Sequence, residues 1–285
     1  MHVDFSSKRR KSEGQKMKKL LITDLDDTLY DWTGFFVPAF YAMAEEIVSI
    51  TKIQQPLLLQ EYKQVHQALG TLEFPYATLR LPSIQKYFHG LSDAEAKAAL
   101  RPAFKRFNTI REEYLHLFPG VKETLECLRQ RGVDVIGYTE SSQENGFYRL
   151  QKLGVDGYFK HVYAFVSSFK SAYAVDGRVK TVQTKKPDPV VLRQILQAED
   201  RFSEEVVYVG DSLIKDIYMA KHVGVTAVWA QYPDRNKELG EKLYAITSWT
   251  EEDFALERRL SRHMDESGIK PDYTISAFPQ LLDIL

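Results

Sequence analysis

Two aspartates, one residue apart, directly follow a short apolar run near the start of the chain. Leu20–Thr23 is the apolar run, and it continues into Asp24 and Asp26. In an extended chain, residues i and i+2 point to the same side, so the two carboxylates can converge. Carboxylates this close repel each other unless a cation or a shared proton lies between them. The pattern therefore indicates a metal site or a carboxylate nucleophile, although Asp26 or Asp27 could equally cap a following helix.

A second apolar run also ends in acidic residues. Val206–Val209 is followed by Gly210 and Asp211, and Asp216 comes five residues later. Gly210 permits a sharp turn, and a helix that begins after Ser212 would hold Asp216 close to the end of the strand. Helix capping does not explain carboxylates at two separate strand ends. A hard cation such as Mg²⁺ does, because it is held by carboxylates, waters and substrate phosphate.

Two further residues could contact an anion. Lys186 precedes Pro187 and the amphipathic stretch Val190–Leu196, and the prolines restrict the chain that enters this helix. Thr139 follows the predicted strand Val133–Tyr138. Taken alone, a lysine before a helix is usually a solvated surface charge, and a threonine at a strand end is ordinary. Their meaning therefore depends on the order of all four elements along the chain.

That order resembles the haloacid dehalogenase-like hydrolase superfamily. In this family an Asp-x-Asp-x-Thr motif is followed by a strand-end Thr or Ser, a Lys that often precedes Pro, and Gly-Asp-x-x-x-x-Asp. The matching segments here are Asp24–Thr28, Thr139, Lys186-Pro187 and Gly210–Asp216, with Phe118–Val121 resembling the return from the family's cap to its core. The resemblance runs from Met17 to Leu285 and is weakest over 32–117 and near the C-terminus. Glu140 departs from the pattern, since many members have Asn or Asp there.

The resemblance implies a role for each matched residue. Asp24 would be the nucleophile that forms an aspartyl-phosphate, and Asp26 would be the general acid and then the general base. Thr139 and Lys186 would hold the phosphoryl oxygens, and Lys186 would also orient Asp24. Glu140 occupies a position that contacts substrate in the family.

A magnesium site is also implied. Asp24, Asp211 and the backbone carbonyl of Asp26 would bind Mg²⁺, with Asp216 as a ligand or as a partner of the ligands. The sequence thus predicts a Mg²⁺-dependent phosphatase for a small phosphorylated metabolite, such as a nucleoside monophosphate, a sugar phosphate or a phosphoglycolate-like compound. A phosphomutase would use the same residues, and a catalytically silent binding protein on the same fold is the alternative outside enzymology.

Short apolar runs alternate with helical patterns from Leu20 onward, which is typical of an α/β domain with a parallel sheet. In such Rossmann-like sheets, ligands bind beyond the carboxyl ends of the strands, and every motif named above follows a predicted strand. The predicted strands are Leu20–Thr23, Val133–Tyr138, His161–Val166, Val206–Val209, Thr226–Ala230 and Tyr273–Ile275.

The remainder of the chain divides into three parts. Residues 1–19 are rich in Lys, Arg and Ser and predict a flexible basic tail. Residues 32–117 show helical spacing without convincing strands, which resembles the family's helical cap. Residues 20–31 and 118–285 would then form the catalytic core.

Two stretches of the core leave alternatives open. Residues 167–184 include the turn-forming pair Asp176 and Gly177, and they form either a hairpin flap beside Lys186 or a surface loop. The segment Pro233–Lys270 carries an amphipathic helical pattern. It either packs on the core or forms the contact between two copies in a homodimer.

Composition agrees with a globular enzyme. The 285 residues carry a formal net charge of −1, and no apolar stretch reaches the roughly 18 residues that a membrane span needs. We therefore expect no membrane partner. The single cysteine, Cys127, cannot form an internal disulfide, which fits a cytoplasmic location. The basic residues 8–11 lie in a terminal tail, so we expect no nucleic acid partner either.

Overall fold

One sheet of seven parallel strands forms the centre of the protein. The computed structural model describes residues 20–74, 76–166, 176–233 and 236–285. The strands are β1 (Leu20–Thr23), β2 (Asp134–Ser142), β3 (His161–Phe165), β4 (Val179–Val182), β5 (Val206–Gly210), β6 (Thr226–Ala230) and β7 (Tyr273–Ile275). They lie in the order β4-β3-β2-β1-β5-β6-β7, and every neighbouring pair is parallel. The predicted Rossmann-like α/β core is confirmed.

β1 occupies the middle of the sheet because both of its faces are apolar. Leu21 packs into the apolar cluster on one face of the sheet, and Ile22 packs into the cluster on the other. Thr23, the last residue of β1, pairs with Gly137 of β2 and with Val209 of β5. The chain segments that follow these three strands therefore begin side by side at one edge of the sheet.

Six strands were predicted, and each of the six is present. β1, β6 and β7 have the predicted bounds, whereas β2 runs on to Ser142, well past the predicted end at Tyr138. The extra residues of β2 extend beyond the last β1 pair, so they project over the carboxyl edge of the sheet. β4 was not predicted; it pairs parallel with β3. Residues 167–175, which make up much of the predicted flap, lie outside the described residues, as does the predicted tail 1–19.

Eleven α-helices surround and extend the sheet within the described residues. They are α1 (Trp32–Thr51), α2 (Gln55–Leu69), α3 (Pro82–Tyr87), α4 (Asp93–Ala99), α5 (Arg101–Tyr114), α6 (Val121–Gln130), α7 (Gln143–Lys152), α8 (Pro189–Ala198), α9 (Met219–Val223), α10 (Lys237–Ala245) and α11 (Glu251–Glu266). In the described part of 32–114, every regular element is a helix, as expected for a helical cap. No helix of the described residues is long and apolar enough to cross a membrane.

The helical insertion has an aromatic core of its own. α1 begins at its N-cap Asp31, which accepts a hydrogen bond from Gly34 N at 2.7 Å. Phe36 and Phe40 of this helix are buried, and the Phe40 ring contacts Tyr62 of α2 edge-on, with 4.7 Å between ring centroids. The chain enters and leaves the insertion side by side, because Phe118 N donates to Leu29 O at 2.9 Å.

The segment Pro233–Lys270 contains α10 and α11. It packs on the core, one of its two predicted alternatives, because Met264 of α11 belongs to the same apolar cluster as Ile22 and Leu260 packs against that cluster. The segment also contacts the helical insertion, which was not predicted. Lys242 O accepts from Tyr41 OH at 3.0 Å, and Trp249 O accepts from Gln67 Nε2 at 2.8 Å. Ile246 O lies 2.7 Å from His66 Nδ1. These contacts tie α1 and α2 to the C-terminal part of the core.

Candidate active site

The sequence-predicted site residues meet at the carboxyl edge of the sheet. Asp24 directly follows β1, Thr139 lies in the projecting end of β2, and Asp211 directly follows β5. Lys186 lies between β4 and α8, where the N-cap Asp188 accepts a hydrogen bond from Val190 N at 2.9 Å. These residues, which lie at or after the ends of four strands, are thus brought to one edge of the sheet.

Lys186 connects two aspartates from different motifs. Its ammonium nitrogen lies 2.5 Å from Asp24 Oδ1 and 2.8 Å from Asp216 Oδ1. The Lys186 side chain is 2% exposed, so the ammonium group is almost fully shielded from solvent. Burial lowers its pKa, but Asp216 and Asp24 together hold that pKa well above the usual value. Lys186 therefore remains charged, and the solvated surface position that a lone lysine suggests is ruled out.

Asp216 is held by a tight turn after β5. A single π-helical turn, Leu213–Tyr218, begins after its N-cap Ser212 and brings Asp216 back toward the strand. Asp216 Oδ1 accepts from Tyr208 OH at 2.9 Å, and Oδ2 accepts from Ser212 N at 3.0 Å. A Cβ atom at Gly210 would lie 2.3 Å from Asp216 Cγ. Glycine is therefore required at position 210 by close packing.

Three carboxylates form a group that suits a cation. Oxygen atoms of Asp24, Asp211 and Asp216 all lie within 4.8 Å of one another. Burial is the main cause that raises the pKa of Asp24 to about 8; Lys186 lowers it, and Asp216 raises it further. A divalent cation bound among these carboxylates would favour the ionised form of Asp24. The oxygen-only donor set fits Mg²⁺.

The Asp26 side chain is bound by a separate set of donors. Its Oδ1 accepts from Tyr30 OH at 2.8 Å and lies 3.0 Å from Arg149 NH2. Its Oδ2 accepts from Thr139 Oγ1 at 3.0 Å and from Ser141 Oγ at 2.8 Å. The Asp26 carboxylate is therefore not one of the three clustered carboxylates, and the predicted metal contact from this residue is its backbone carbonyl. Neither Asp26 nor Asp27 is the N-cap of α1, which is Asp31. Asp27 does accept a hydrogen bond from Thr33 N, in the first turn of that helix, at 2.9 Å.

Arg149 and Glu73 belong to this site, although sequence reasoning missed both. Arg149 lies on α7 with a side chain only 4% exposed, and its NH1 is 2.6 Å from Glu73 Oε1. Arg149 Nε donates to Tyr30 OH at 3.0 Å, and NH2 donates to Ser141 Oγ at 2.5 Å. Glu73 comes from the helical insertion and also accepts from Trp32 Nε1 at 3.1 Å. Arg149 thus joins Asp26 of the core to a carboxylate of the insertion.

Glu140 has a partner within the protein. Lys215, in the π-helical turn, donates from Nζ to Glu140 Oε2 and lies 5.0 Å from the centroid of the Trp249 ring. The family contact with substrate at position 140 therefore has to compete with this ion pair, and the contact stays a prediction. Lys215 was not singled out from the sequence, because a lysine inside a helical pattern has no distinguishing local signal.

Comparisons with known proteins place this geometry in a family. The family model described as haloacid dehalogenase-like hydrolase matches residues 18–224. The glyceraldehyde 3-phosphate phosphatase of Pyrococcus furiosus is 27% identical over 268 residues, covering 94% of this chain and 92% of the relative. The phosphoglycolate phosphatase of Pseudomonas syringae pv. syringae is 26% identical over 217 residues, covering 76% of this chain and 71% of the relative.

Solved structures share the fold. A 2-haloacid dehalogenase from Pseudomonas syringae pv. tomato superposes with a TM-score of 0.53 at 22% identity, covering 94% of this chain and 98% of that one. A predicted phosphoglycolate phosphatase from Haemophilus somnus superposes with a TM-score of 0.52 at 18% identity, covering 95% of this chain and 99% of that one. Because the family model matches residues 18–224, which are most of this chain, the chain belongs to the haloacid dehalogenase-like hydrolases.

Proposed function

We propose that this protein is a Mg²⁺-dependent phosphatase that hydrolyses a small phosphorylated metabolite through Asp24. The observation that carries the proposal is the contact of Asp24 with Lys186 at 2.5 Å, inside a group of three carboxylates. A binding protein without catalysis has no need of a buried carboxylate between a lysine and a cation site. Relatives named as phosphatases of small phosphate esters support the same reaction class.

The first chemical step transfers the phosphoryl group to Asp24. A carboxylate oxygen of Asp24 forms a bond to phosphorus while the bond from phosphorus to the ester oxygen breaks. Asp26 donates a proton to the departing oxygen, so the leaving group departs as a neutral alcohol. Lys186, which already contacts Asp24, offsets the charge that accumulates on the phosphoryl oxygens.

The second step returns the enzyme to its starting state. A water molecule attacks phosphorus, the bond from Asp24 to phosphorus breaks, and Asp26 accepts the proton of that water. Four donors, from Tyr30, Thr139, Ser141 and Arg149, surround the Asp26 carboxylate and fix its position. We assign Tyr30 and Arg149 to hold this carboxylate in place. Thr139 and Ser141 both contact it, and we assign Thr139 to bind the phosphoryl oxygens.

Four residues would hold the metal ion. These are Asp24, Asp211 and Asp216 through their carboxylates, and Asp26 through its backbone carbonyl. Bound there, Mg²⁺ would neutralise the charge of the phosphoryl group and of the carboxylates around it. Asp216 has a second role in our proposal, because its contacts with Lys186 and Tyr208 keep the lysine beside the nucleophile.

The direct test is hydrolysis of 4-nitrophenyl phosphate with Mg²⁺ and with a chelator, by the natural protein and by Asp24→Asn. We expect turnover that requires the cation and is lost in Asp24→Asn. Asp134→Asn is the matched control, since it makes the same chemical change at the opposite end of β2 and leaves the site intact. Chelator-resistant turnover, or turnover by Asp24→Asn, would refute the proposal. Transfer of the phosphoryl group to an added alcohol or sugar phosphate, but not to water, would indicate a mutase.

A further inference from the structure

A cavity of about 450 Å³ lies between the helical insertion and α7 of the core. Its walls are largely aromatic and come mainly from α1 and α5, with Phe36, Phe40, Phe104 and Phe107 among them. Two of these rings, Phe36 and Phe107, meet edge-on with 5.9 Å between their centroids. The volume falls within the range of small-molecule binding sites, which is roughly 300 to 1,000 Å³.

One part of the cavity wall adjoins the proposed general acid. Glu73, Asn145 and Arg149 line the cavity, and Arg149 NH2 lies 3.0 Å from Asp26 Oδ1. In the proposed mechanism Asp26 protonates the departing oxygen of the ester. A leaving group attached to that oxygen would therefore extend past Arg149 and Asn145 into the cavity.

A cationic side chain forms another part of the wall. Arg111 of α5 lines the cavity, and its NH2 donates to Tyr148 OH at 3.2 Å. The guanidinium carbon also lies 4.9 Å from the centroid of the Tyr148 ring, so Tyr148 holds Arg111 in place. A guanidinium group carries five N–H donors and pairs well with a carboxylate. An anionic acceptor on a bound ligand would therefore have a cationic partner in this wall.

We propose that the cavity binds the leaving group of the substrate, and that this leaving group is a planar ring that carries a hydrogen-bond acceptor such as a carboxylate. Aromatic walls bind a ring by stacked and edge-on contacts, and Arg111 would bind the acceptor. The short leaving groups of phosphoglycolate or glyceraldehyde 3-phosphate would leave most of this volume unfilled. The inference rests on the phosphatase function proposed above and extends it to a substrate class.

The first test compares phenyl phosphate with 4-carboxyphenyl phosphate in the natural protein and in Arg111→Met. The two esters differ in intrinsic reactivity, but that difference is the same for both enzymes, so the ratio of their kcat/KM values isolates the contact. We expect the preference for the carboxylated ester to fall at least tenfold in Arg111→Met and to return in part in Arg111→Lys. An unchanged ratio would overturn the role of Arg111.

The second test narrows the cavity. Asn108 is an exposed residue of α5 that lines it, and the adjacent Thr109 is exposed and does not line it. We expect Asn108→Trp to lower kcat/KM for phenyl phosphate at least tenfold more than for phosphoglycolate. Thr109→Trp is the matched control and should alter neither value. Equal effects of Asn108→Trp on both esters would show that the ring does not occupy the cavity.

A binding measurement separates failure of this inference from failure of the proposed function. Calorimetric titration with 4-hydroxybenzoate, the alcohol product of the carboxylated ester, needs no turnover. Saturable binding that weakens at least tenfold in Arg111→Met supports the site even if the enzyme hydrolyses no ester tested. Mg²⁺-dependent hydrolysis of phosphoglycolate without detectable binding of 4-hydroxybenzoate would overturn the inference and leave the phosphatase function standing.

Discussion

His66 should make the stability of this protein fall in mildly acidic solution. The residue lies on α2 of the insertion, its side chain is 1% exposed, and its ring contacts Phe40 and Tyr62. Nδ1 lies 2.7 Å from Ile246 O, and because a carbonyl only accepts, Nδ1 carries the hydrogen. Burial is the main cause that lowers the pKa of His66 to about 4, against an ordinary value of 6.5.

The sign of the effect follows from these two values. The folded state keeps His66 neutral down to about pH 4, whereas the unfolded chain takes up a proton below about pH 6.5. The stabilisation is therefore complete above pH 6.5 and is lost as the pH falls toward 4. Each pH unit between the two values costs about 1.4 kcal/mol, so the free energy of unfolding should fall by about 2 kcal/mol between pH 7.5 and pH 5.

Urea unfolding at pH 7.5 and pH 5, of the natural protein and of His66→Gln, measures this contribution. Glutamine keeps a donor for Ile246 O but does not titrate. Other groups change protonation in the same range, because burial also raises the pKa of Asp24 to about 8 and of Asp27 to about 6. The informative quantity is therefore the difference between the two proteins. Between pH 7.5 and pH 5, we expect the free energy of unfolding of His66→Gln to fall by about 2 kcal/mol less than that of the natural protein. An equal fall in both proteins would refute the reasoning.

Two substitutions test the buried cations of the site. Lys186→Met leaves the buried carboxylates of Asp24 and Asp216 without their cationic partner. We therefore expect the free energy of unfolding, measured with urea in the absence of metal, to fall by about 3 to 5 kcal/mol. In the presence of Mg²⁺ its kcat should fall at least 100-fold, and near-normal kcat would contradict the charge-neutralising role. Arg149→Met removes the cation that Asp26 and Glu73 share. We expect the free energy of unfolding to fall by about 3 kcal/mol or more. Adding Glu73→Gln should recover part of that loss, and a strictly additive double variant would show that the two residues are not coupled.

Strand positions and the motif residues could be predicted because their signals are local. β1 is a short apolar run that ends at Asp24, and a run of this kind stays extended wherever both faces are buried. Once the strands are parallel and adjacent, their carboxyl ends meet by geometry. Asp24, Asp211 and Asp216 therefore converge as expected from their places after β1 and β5.

The hydrogen-bond network around Asp26 could not be predicted in the same way. Arg149 contacts Asp26 and Glu73, which lie far from it along the chain, and neither contact has a sequence spacing that marks it. β4 was missed for a related reason. It is four residues long with two exposed positions, so its pattern is weak, and only its pairing with β3 stabilises the extended chain.

The sequence by itself determined the parallel sheet and the edge where the carboxylates meet, because both follow from local patterns along the chain. The class of chemistry followed from the order of the four motifs and from the family that this order resembles. Tertiary structure alone decided which side chains hold Asp26, how His66 joins α2 to Ile246, and that an aromatic cavity containing Arg111 lies beside the general acid. Those features depend on side chains from different elements meeting in space. The packing of the helical insertion against the core brings these side chains together. The hydrophobic periodicity of a single segment does not predict such contacts between segments.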